Sequence, residues 1–319
     1  MTDNPIKLID KWIVLVNPHA GTGKGKKDWG KINEFLSRSA IEFEAFNTKH
    51  REHALALTTK FIKKGYRKFI VTGGDGTLNE VVNGIFIQKK IPTEEFLVAM
   101  IPVGTGNDWC RMFDIPFDYE KAIKIIQKGE VFQQDIGKVS FYQGDKQKQR
   151  FFINVAGMGY DAIVAAKTNK DKERGRGGLL VYLKNLLSSL LFYKFSDVKM
   201  LTNGEKEPCN CKAFSISVGI CKYNGGGMMQ LPNAVADDGL LDITLIKKIG
   251  RFSVIRQIKN LYDGSFINHP KVETFRAKTL KIESHPPIDL EVDGESLGHS
   301  PFQFRIIPQS LKVLVGNME

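Results

Sequence analysis

Lys68-Phe69-Ile70-Val71-Thr72-Gly73-Gly74-Asp75-Gly76-Thr77-Leu78-Asn79-Glu80 is the stretch whose reading decides the fold. Lys68–Thr72 is apolar and β-branched, the pattern of a strand buried in a parallel sheet. Leu78, Val81, Val82 and Ile85 then follow at the spacing of an amphipathic helix. Glycines at 73, 74 and 76 let the backbone of this strand-to-helix turn approach a ligand closely and present its N–H groups. The helix N-terminus behind them adds donors and a positive dipole end, so a phosphate is the natural guest. A plain connecting turn would use the same glycines. Asp75 is harder to place there, because a carboxylate among phosphate-seeking amides needs a metal ion or a hydroxyl proton to handle.

Two more loops of this kind flank the first. Trp12–Val16 reads as a buried strand and runs into Asn17-Pro18-His19-Ala20-Gly21-Thr22-Gly23-Lys24-Gly25-Lys26. This is not a Walker A loop, since Lys24 is followed by Gly25 rather than Ser or Thr. A helix is expected over Lys27–Arg38, a strand near Ile41–Phe46, then Thr48 and a helix over Glu52–Lys64. After a helix at Asn79–Ile87, the strand Phe96–Pro102 ends in Val103-Gly104-Thr105-Gly106-Asn107-Asp108. Asn107-Asp108 could also cap a following helix, a structural job that would explain those residue types. Strands alternating with helices indicate a parallel sheet covered on both faces. The expectation is an α/β protein whose N-terminal domain, residues 1–130, is a three-layer α/β/α nucleotide-binding unit. Its three loops would share the edge where open α/β sheets bind ligands.

Past Asp114 the pattern changes. Val131–Phe141, Arg150–Val155, Ala213–Gly219, Leu240–Ile246, Thr279–Glu283 and Ile288–Val292 read as strands separated by turns. They suggest a second domain, residues 131–319, built as an antiparallel β-sandwich, with its C-terminal segment free to return to the first domain. Helical insertions are expected at about Tyr160–Tyr193 and Arg251–Tyr262.

The chain has 319 residues, 46 Lys and Arg against 35 Asp and Glu, and a net charge of +11. That excess suits a nucleotide or an acidic membrane surface. Nucleic acid is not expected, since no zinc-finger, homeodomain or RNA-recognition pattern accompanies the charge. Cys110, Cys209, Cys211 and Cys221 have no metal-ligand spacing and read as buried, reduced thiols. Met1–Pro5 lacks the apolar core of a signal peptide, and no apolar run reaches the ~20 residues of a membrane span. A cytoplasmic protein is expected. Leu179, Leu180, Leu183, Leu186, Leu187, Leu190 and Leu191 make a helical stripe, ordinarily read as packing against the β domain. Before it, Lys167, Lys170, Lys172, Arg174 and Arg176 outnumber Asp171 and Glu173. That segment is either a solvated loop or a peripheral contact with anionic lipid headgroups.

With Val16-Asn17-Pro18 and Gly21, the Gly73–Glu80 element, Pro102–Asp108, Asp237-Asp238-Gly239-Leu240-Leu241-Asp242 and Asp293-Gly294-Glu295, the chain resembles the diacylglycerol kinase catalytic domain family. These bacterial lipid kinases are related to sphingosine kinases, NAD kinases and phosphofructokinases. The resemblance implies an ATP-binding domain, a β-sandwich domain and catalysis in the cleft between them. ATP would lie on Asn17, Pro18, Gly21, Thr48, Gly73, Gly74, Asp75, Gly76, Thr77, Leu78, Asn79 and Thr105. Asp293 or Glu295 would take the proton of a lipid hydroxyl; Asp75, acting through Mg²⁺ and water, and Asp108 are the other candidate catalytic residues. A Mg²⁺ would sit on Asp238 and the main-chain carbonyls of Val235 and Leu240. On the residues alone, Asp293-Gly294 reads as a hairpin turn. Continued strand alternation would put the Asp293 and Glu295 side chains in one pocket. The expected activity is phosphorylation of a diacylglycerol-like lipid at a membrane surface; a homodimer is compatible with the sequence. The alternatives are a soluble kinase of the NAD kinase type and a non-catalytic module that binds nucleotide and acidic membrane. Intact Asp75, Asp108, Asp293 and Glu295 argue against the latter.

Overall fold

Apolar runs with no polar alternation cannot face water on either side, and here they form the middle layer of the first unit. The computed structural model describes residues 8–176, 178–203, 205 and 207–317. Its first unit contains β1 (Ile9–Val16), α1 (Ala20–Arg38), β2 (Phe43–Asn47), α2 (His53–Lys63), β3 (Tyr66–Gly73), α3 (Asp75–Phe86), β4 (Leu97–Pro102), α4 (Asp108–Met112) and α5 (Tyr119–Lys128). The strands lie in the order β2-β1-β3-β4, all parallel, with Val14 opposite Ala45 and Ile70, and Ile70 opposite Ala99. One face of the sheet, with Val14, Val16, Ile70 and Ile101, packs on Ile32 and Leu36 of α1 and Ile123 and Ile126 of α5. Ile13, Leu15, Phe69 and Val71 alternate with these and are also fully buried, on the side where α3 packs on β3 and α2 on α3. Three layers result.

Helix α5 was not foreseen from the sequence. Its signals are present: Asp118 accepts the Lys121 N–H as an N-cap, and Gly129 ends the helix in a left-handed conformation. The chain leaves this unit after Gln134, not at 130, and returns to it at Gln309. There Lys312 and Val313 pair in parallel with Leu97 and Val98 of β4.

The second unit, Asp135–Pro308, is mostly antiparallel. Its elements begin with β5 (Val131–Gln143), which enters from the first unit, then β6 (Lys146–Phe152), β7 (Val155–Gly159), α6 (Tyr160–Glu173), α7 (Leu179–Leu190), β8 (Ser196–Thr202) and β9 (Cys209–Gly219). They continue with the short pair β10 (Tyr223–Asn224) and β11 (Met228–Met229), β12 (Leu241–Lys247), α8 (Arg251–Gln257), α9 (Asn260–Asp263), β13 (Val272–Ala277), β14 (Thr279–His285), β15 (Asp289–Val292) and β16 (Glu295–Leu314). Strand β9 belongs to two sets of neighbours. Cys209–Ala213 pair with β8, whereas Ser215–Gly219 pair with β7 and β12. Strand β16 does the same, pairing first with β15 and then with β14. Switching partners part-way along a long strand is how a sandwich turns its corners. The helical insertion expected at Tyr160–Tyr193 is made of two helices, and the basic segment Lys167–Arg176 is helical as far as Glu173. All four cysteines are free, but only Cys110 and Cys221 are buried; Cys209 and Cys211 are half-exposed.

Candidate active site

The three glycine-rich loops of the first unit meet at the C-terminal ends of β1, β3 and β4, and each requires its glycines for a different contact. A Cβ on Gly21 would lie 2.4 Å from the Val103 carbonyl oxygen, and φ of +58° already disfavours a side chain there. A Cβ on Gly104 would lie 2.7 Å from the Gly74 Cα and 2.5 Å from Asn107 Oδ1. Asn17 Nδ2 donates to Thr77 Oγ1 at 2.9 Å, tying the first loop to the second. The Val103 and Gly104 N–H groups both donate to the Gly73 carbonyl, tying the third loop to the second. Thr48 is buried at the end of β2, with its N–H on the Val16 carbonyl, and Thr105 stands exposed at the tip of the third loop. Asn17, Pro18, Gly21, Thr48, Gly73, Gly74, Asp75, Gly76, Thr77 and Thr105 therefore gather on one edge. Leu78 and Asn79 do not reach it. Both are wholly inside α3, with Asn79 Oδ1 accepting from Asn83, so neither has surface to offer a nucleotide.

Asp75 holds the turns together as well as standing at the edge. Its Oδ2 accepts the Asp108 N–H at 3.0 Å and its Oδ1 accepts the Trp109 N–H at 3.2 Å, so it caps α4 from across the edge. Asn107 does not cap that helix. It takes a left-handed φ of 50°, and its Nδ2 donates to the Gly104 carbonyl. Its Oδ1 is buried beside Gly74 and Gly104 and has no hydrogen-bond partner among the described residues. Asp108 is buried, with Oδ1 3.6 Å from Arg111 Nε. Glu80 is structural: its carboxylate accepts the N–H groups of Glu52 and Ala54 at 2.7 and 2.9 Å, which caps α2.

In the second unit, Val292 pairs with Glu295 across a two-residue turn in which Asp293 (φ 47°) and Gly294 (φ 82°) are both left-handed. That is the turn geometry favoured in tight hairpins. The turn breaks the strand alternation, and the two carboxylates bond to different partners. Asp293 is 4% exposed, and its carboxylate accepts the N–H groups of Ile153, Asn154 and Val155 at 3.0 to 3.1 Å. Glu295 is half-buried, with Oε2 2.9 Å from an Arg150 guanidinium nitrogen. Asn169 of α6 donates to the Gly294 carbonyl and so fixes the turn from outside.

The residues implied for Mg²⁺ do not fit a divalent cation as they are folded. Asp238 Oδ2 is ion-paired with Arg276, and its Oδ1 accepts the Leu240 N–H at 3.0 Å. Arg276 Nε is also 3.5 Å from Asp242. A guanidinium on the one carboxylate of the set repels a second cation. Among the described residues no group of three His, Cys, Asp or Glu side chains gathers to hold a metal.

Comparison with known proteins identifies the family. The profile described as diacylglycerol kinase catalytic domain matches residues 11–139. The profile described as YegS C-terminal NAD kinase beta sandwich-like domain matches residues 154–315. The chain belongs to the diacylglycerol kinase catalytic domain family of lipid kinases. A diacylglycerol kinase of Staphylococcus carnosus is 29% identical over 300 residues, covering 94% of this chain and 93% of the relative. One from Mycobacterium tuberculosis is 29% identical over 310 residues, covering 96% and 95%. A crystal structure of a diacylglycerol kinase from Bacillus anthracis superposes with a TM-score of 0.71 at 27% identity, covering 96% of this chain and 97% of that one. Yeast NADH kinase shares the fold, with a TM-score of 0.52 at 11% identity over 99% of this chain and 85% of its own.

In this member of the family the second unit holds two carboxyls that sequence reasoning missed. Glu291 is buried in β15, accepting from Asn224 Nδ2 at 2.7 Å and from the Gly294 N–H at 2.9 Å. Burial pushes its pKa up to about 8, against those two hydrogen bonds. Asp161, at the start of α6, accepts from Ser215 and Ser217, and burial raises it to about 6. The alternation Asp289-Leu290-Glu291-Val292 reads as one apolar and one polar face, so the sequence carried no local signal that Glu291 is buried. Asp161 also lines a pocket whose walls include Leu186, Phe214, Ile249, Val254 and Ile258. The pocket encloses about 60 Å³. Roughly four to six waters would fill that space, so it suits part of an acyl chain rather than a whole lipid.

Proposed function

We propose that this kinase transfers the γ-phosphoryl group of ATP to the primary hydroxyl of a diacylglycerol-like lipid, giving ADP and a phosphatidic-acid-type product. The observation that carries the lipid reading is the pocket lined by Asp161: mostly hydrocarbon walls, with Leu186, Phe214, Ile249, Val254 and Ile258 among them, and a few polar groups suit an amphiphile better than a dinucleotide. Phosphoryl transfer asks the protein for clamping and alignment more than for covalent chemistry. The glycine-loop edge supplies backbone N–H groups for the phosphates of ATP, which arrives as its Mg²⁺ complex. The lipid oxygen attacks the γ-phosphorus, the bond to the β-phosphate oxygen breaks, and the hydroxyl proton passes to a carboxylate. Glu295 is assigned that role, because Asp293 is committed to the N–H groups of three residues, whereas the Glu295 carboxylate meets the Arg150 side chain. Arg150 then orients it.

Glu295→Gln should lower kcat by roughly 10²–10⁴-fold, the usual worth of a general base, with ATP affinity little changed. The assay is transfer from labelled ATP to a panel of lipids in mixed micelles, with NAD as a parallel acceptor. Transfer to NAD and to no lipid would replace the lipid reading with that of a soluble NAD kinase. Near-normal turnover by Glu295→Gln on the preferred lipid would remove Glu295 as the base.

A further inference from the structure

Helix α7 is apolar on two opposite faces, and only one of them is used. Leu186 and Leu190 are buried in a cluster with Tyr160, Val164, Phe214 and Ile249. Leu180, Lys184, Leu187 and Leu191 recur at helical spacing on the outer side and are all exposed, Leu180 by 82%. The outer face continues past the helix end. Phe192 is 83% exposed, and on α8 Phe252 is 88% and Ile255 50% exposed. An Arg251 guanidinium nitrogen donates to the Leu191 carbonyl at 2.7 Å, so the start of α8 is pinned to the end of α7 and the two apolar sets adjoin. Single exposed leucines are ordinary on a soluble protein, but a contiguous cluster that includes two nearly bare phenylalanines is not.

The two stretches of chain that form this face carry charge of one sign. No Asp or Glu occurs from Arg174 to Phe195 or from Ile243 to Tyr262. Lys184, Lys194, Lys248, Arg251, Arg256 and Lys259 lie within those stretches and are exposed. A second copy of the chain would meet this face with the same sign of charge, which opposes self-pairing. Cations framing apolar and aromatic side chains are complementary to anionic headgroups above hydrocarbon.

We infer that the α7–α8 face docks on an anionic bilayer surface, with Phe192 and Phe252 entering the boundary between headgroups and acyl chains. The inference rests on the lipid-kinase reading for its purpose but not for its test.

The test is co-sedimentation of the full chain, without ATP, with phosphatidylcholine vesicles that contain or lack phosphatidylglycerol and contain no diacylglycerol. Binding should require phosphatidylglycerol and fall at least tenfold in the double variant Phe192→Ser/Phe252→Ser. Lys184→Gln/Arg256→Gln should lose roughly thirtyfold at low salt, since each cation near such a surface is worth about fivefold. A Phe252→Trp variant should be quenched by brominated acyl chains beyond the wild type. Turnover on diacylglycerol in detergent micelles, which need no docking face, should survive both double variants, so failure of docking and failure of the kinase reading are told apart. Indifference of the wild type to phosphatidylglycerol, or full vesicle binding by the phenylalanine variant, overturns the inference. Self-association that disappears in Phe192→Ser/Phe252→Ser would overturn it in favour of a second copy.

Discussion

Glu291→Gln should invert its effect on stability as pH rises, and the size of the swing follows from where the carboxyl sits. Folded, Glu291 titrates at about 8 against an ordinary value of 4.5, because burial disfavours its charged form. Between those values the native state keeps a proton that the unfolded chain has released. Stability contributed by this group is therefore fully present below about 4.5 and is lost as pH rises toward 8. At about 1.4 kcal/mol per pH unit, the loss reaches on the order of 4 kcal/mol by pH 8. Glutamine resembles the protonated acid in shape but cannot ionise. At about pH 5 it should be slightly the weaker, by roughly 1 kcal/mol for a less well satisfied hydrogen bond to Asn224 or Gly294. At about pH 8 it should be the more stable by a few kcal/mol. Asp161 and Asp242, each raised to about 6 by burial, tilt both proteins alike at lower pH and cancel in the difference. Urea unfolding followed by circular dichroism across this range measures it directly. A difference between variant and wild type that stays constant with pH would refute the reasoning, since it would mean that Glu291 is ionised in the folded state throughout.

Other substitutions separate support from chemistry. Asp75→Ala should cost roughly 1–3 kcal/mol by leaving the Asp108 and Trp109 N–H groups unbonded, whereas Asp75→Asn keeps one acceptor and should melt closer to wild type. If Asp75 also serves the phosphates, the Asn variant loses kcat far out of proportion to its melting temperature; matched losses would make the residue a cap alone. Gly104→Ala, whose Cβ would meet the Gly74 Cα at 2.7 Å, should push the second and third loops apart. It should destabilise by about 1–3 kcal/mol and raise the KM for ATP, as thermal melts and ATP titrations would show. Glu80→Ala should destabilise by a similar amount through α2 while leaving the KM for ATP almost unchanged, which steady-state kinetics at a permissive temperature would check.

Much of this molecule is written in short-range patterns. The apolar runs at β1, β3 and β4 announce strands covered on both faces, and the glycines at 21, 74 and 104 announce loops in which backbone must approach backbone. Both signals are local: periodicity sets which faces are buried, and a missing Cβ is needed wherever two main chains touch. What a carboxylate does is not local. Asp75 bonds N–H groups 33 and 34 residues away, and Asp293 bonds N–H groups about 140 residues away. Alternation along the strand placed Asp293 beside Glu295, but a pair of left-handed residues sent one inward to the backbone and left the other to Arg150. The seven leucines between 179 and 191 show why the docking face was equally hidden. Their spacing makes a helix apolar nearly all round, and only the packing of Leu186 and Leu190 against Phe214 and Ile249 settles which side is left to the outside.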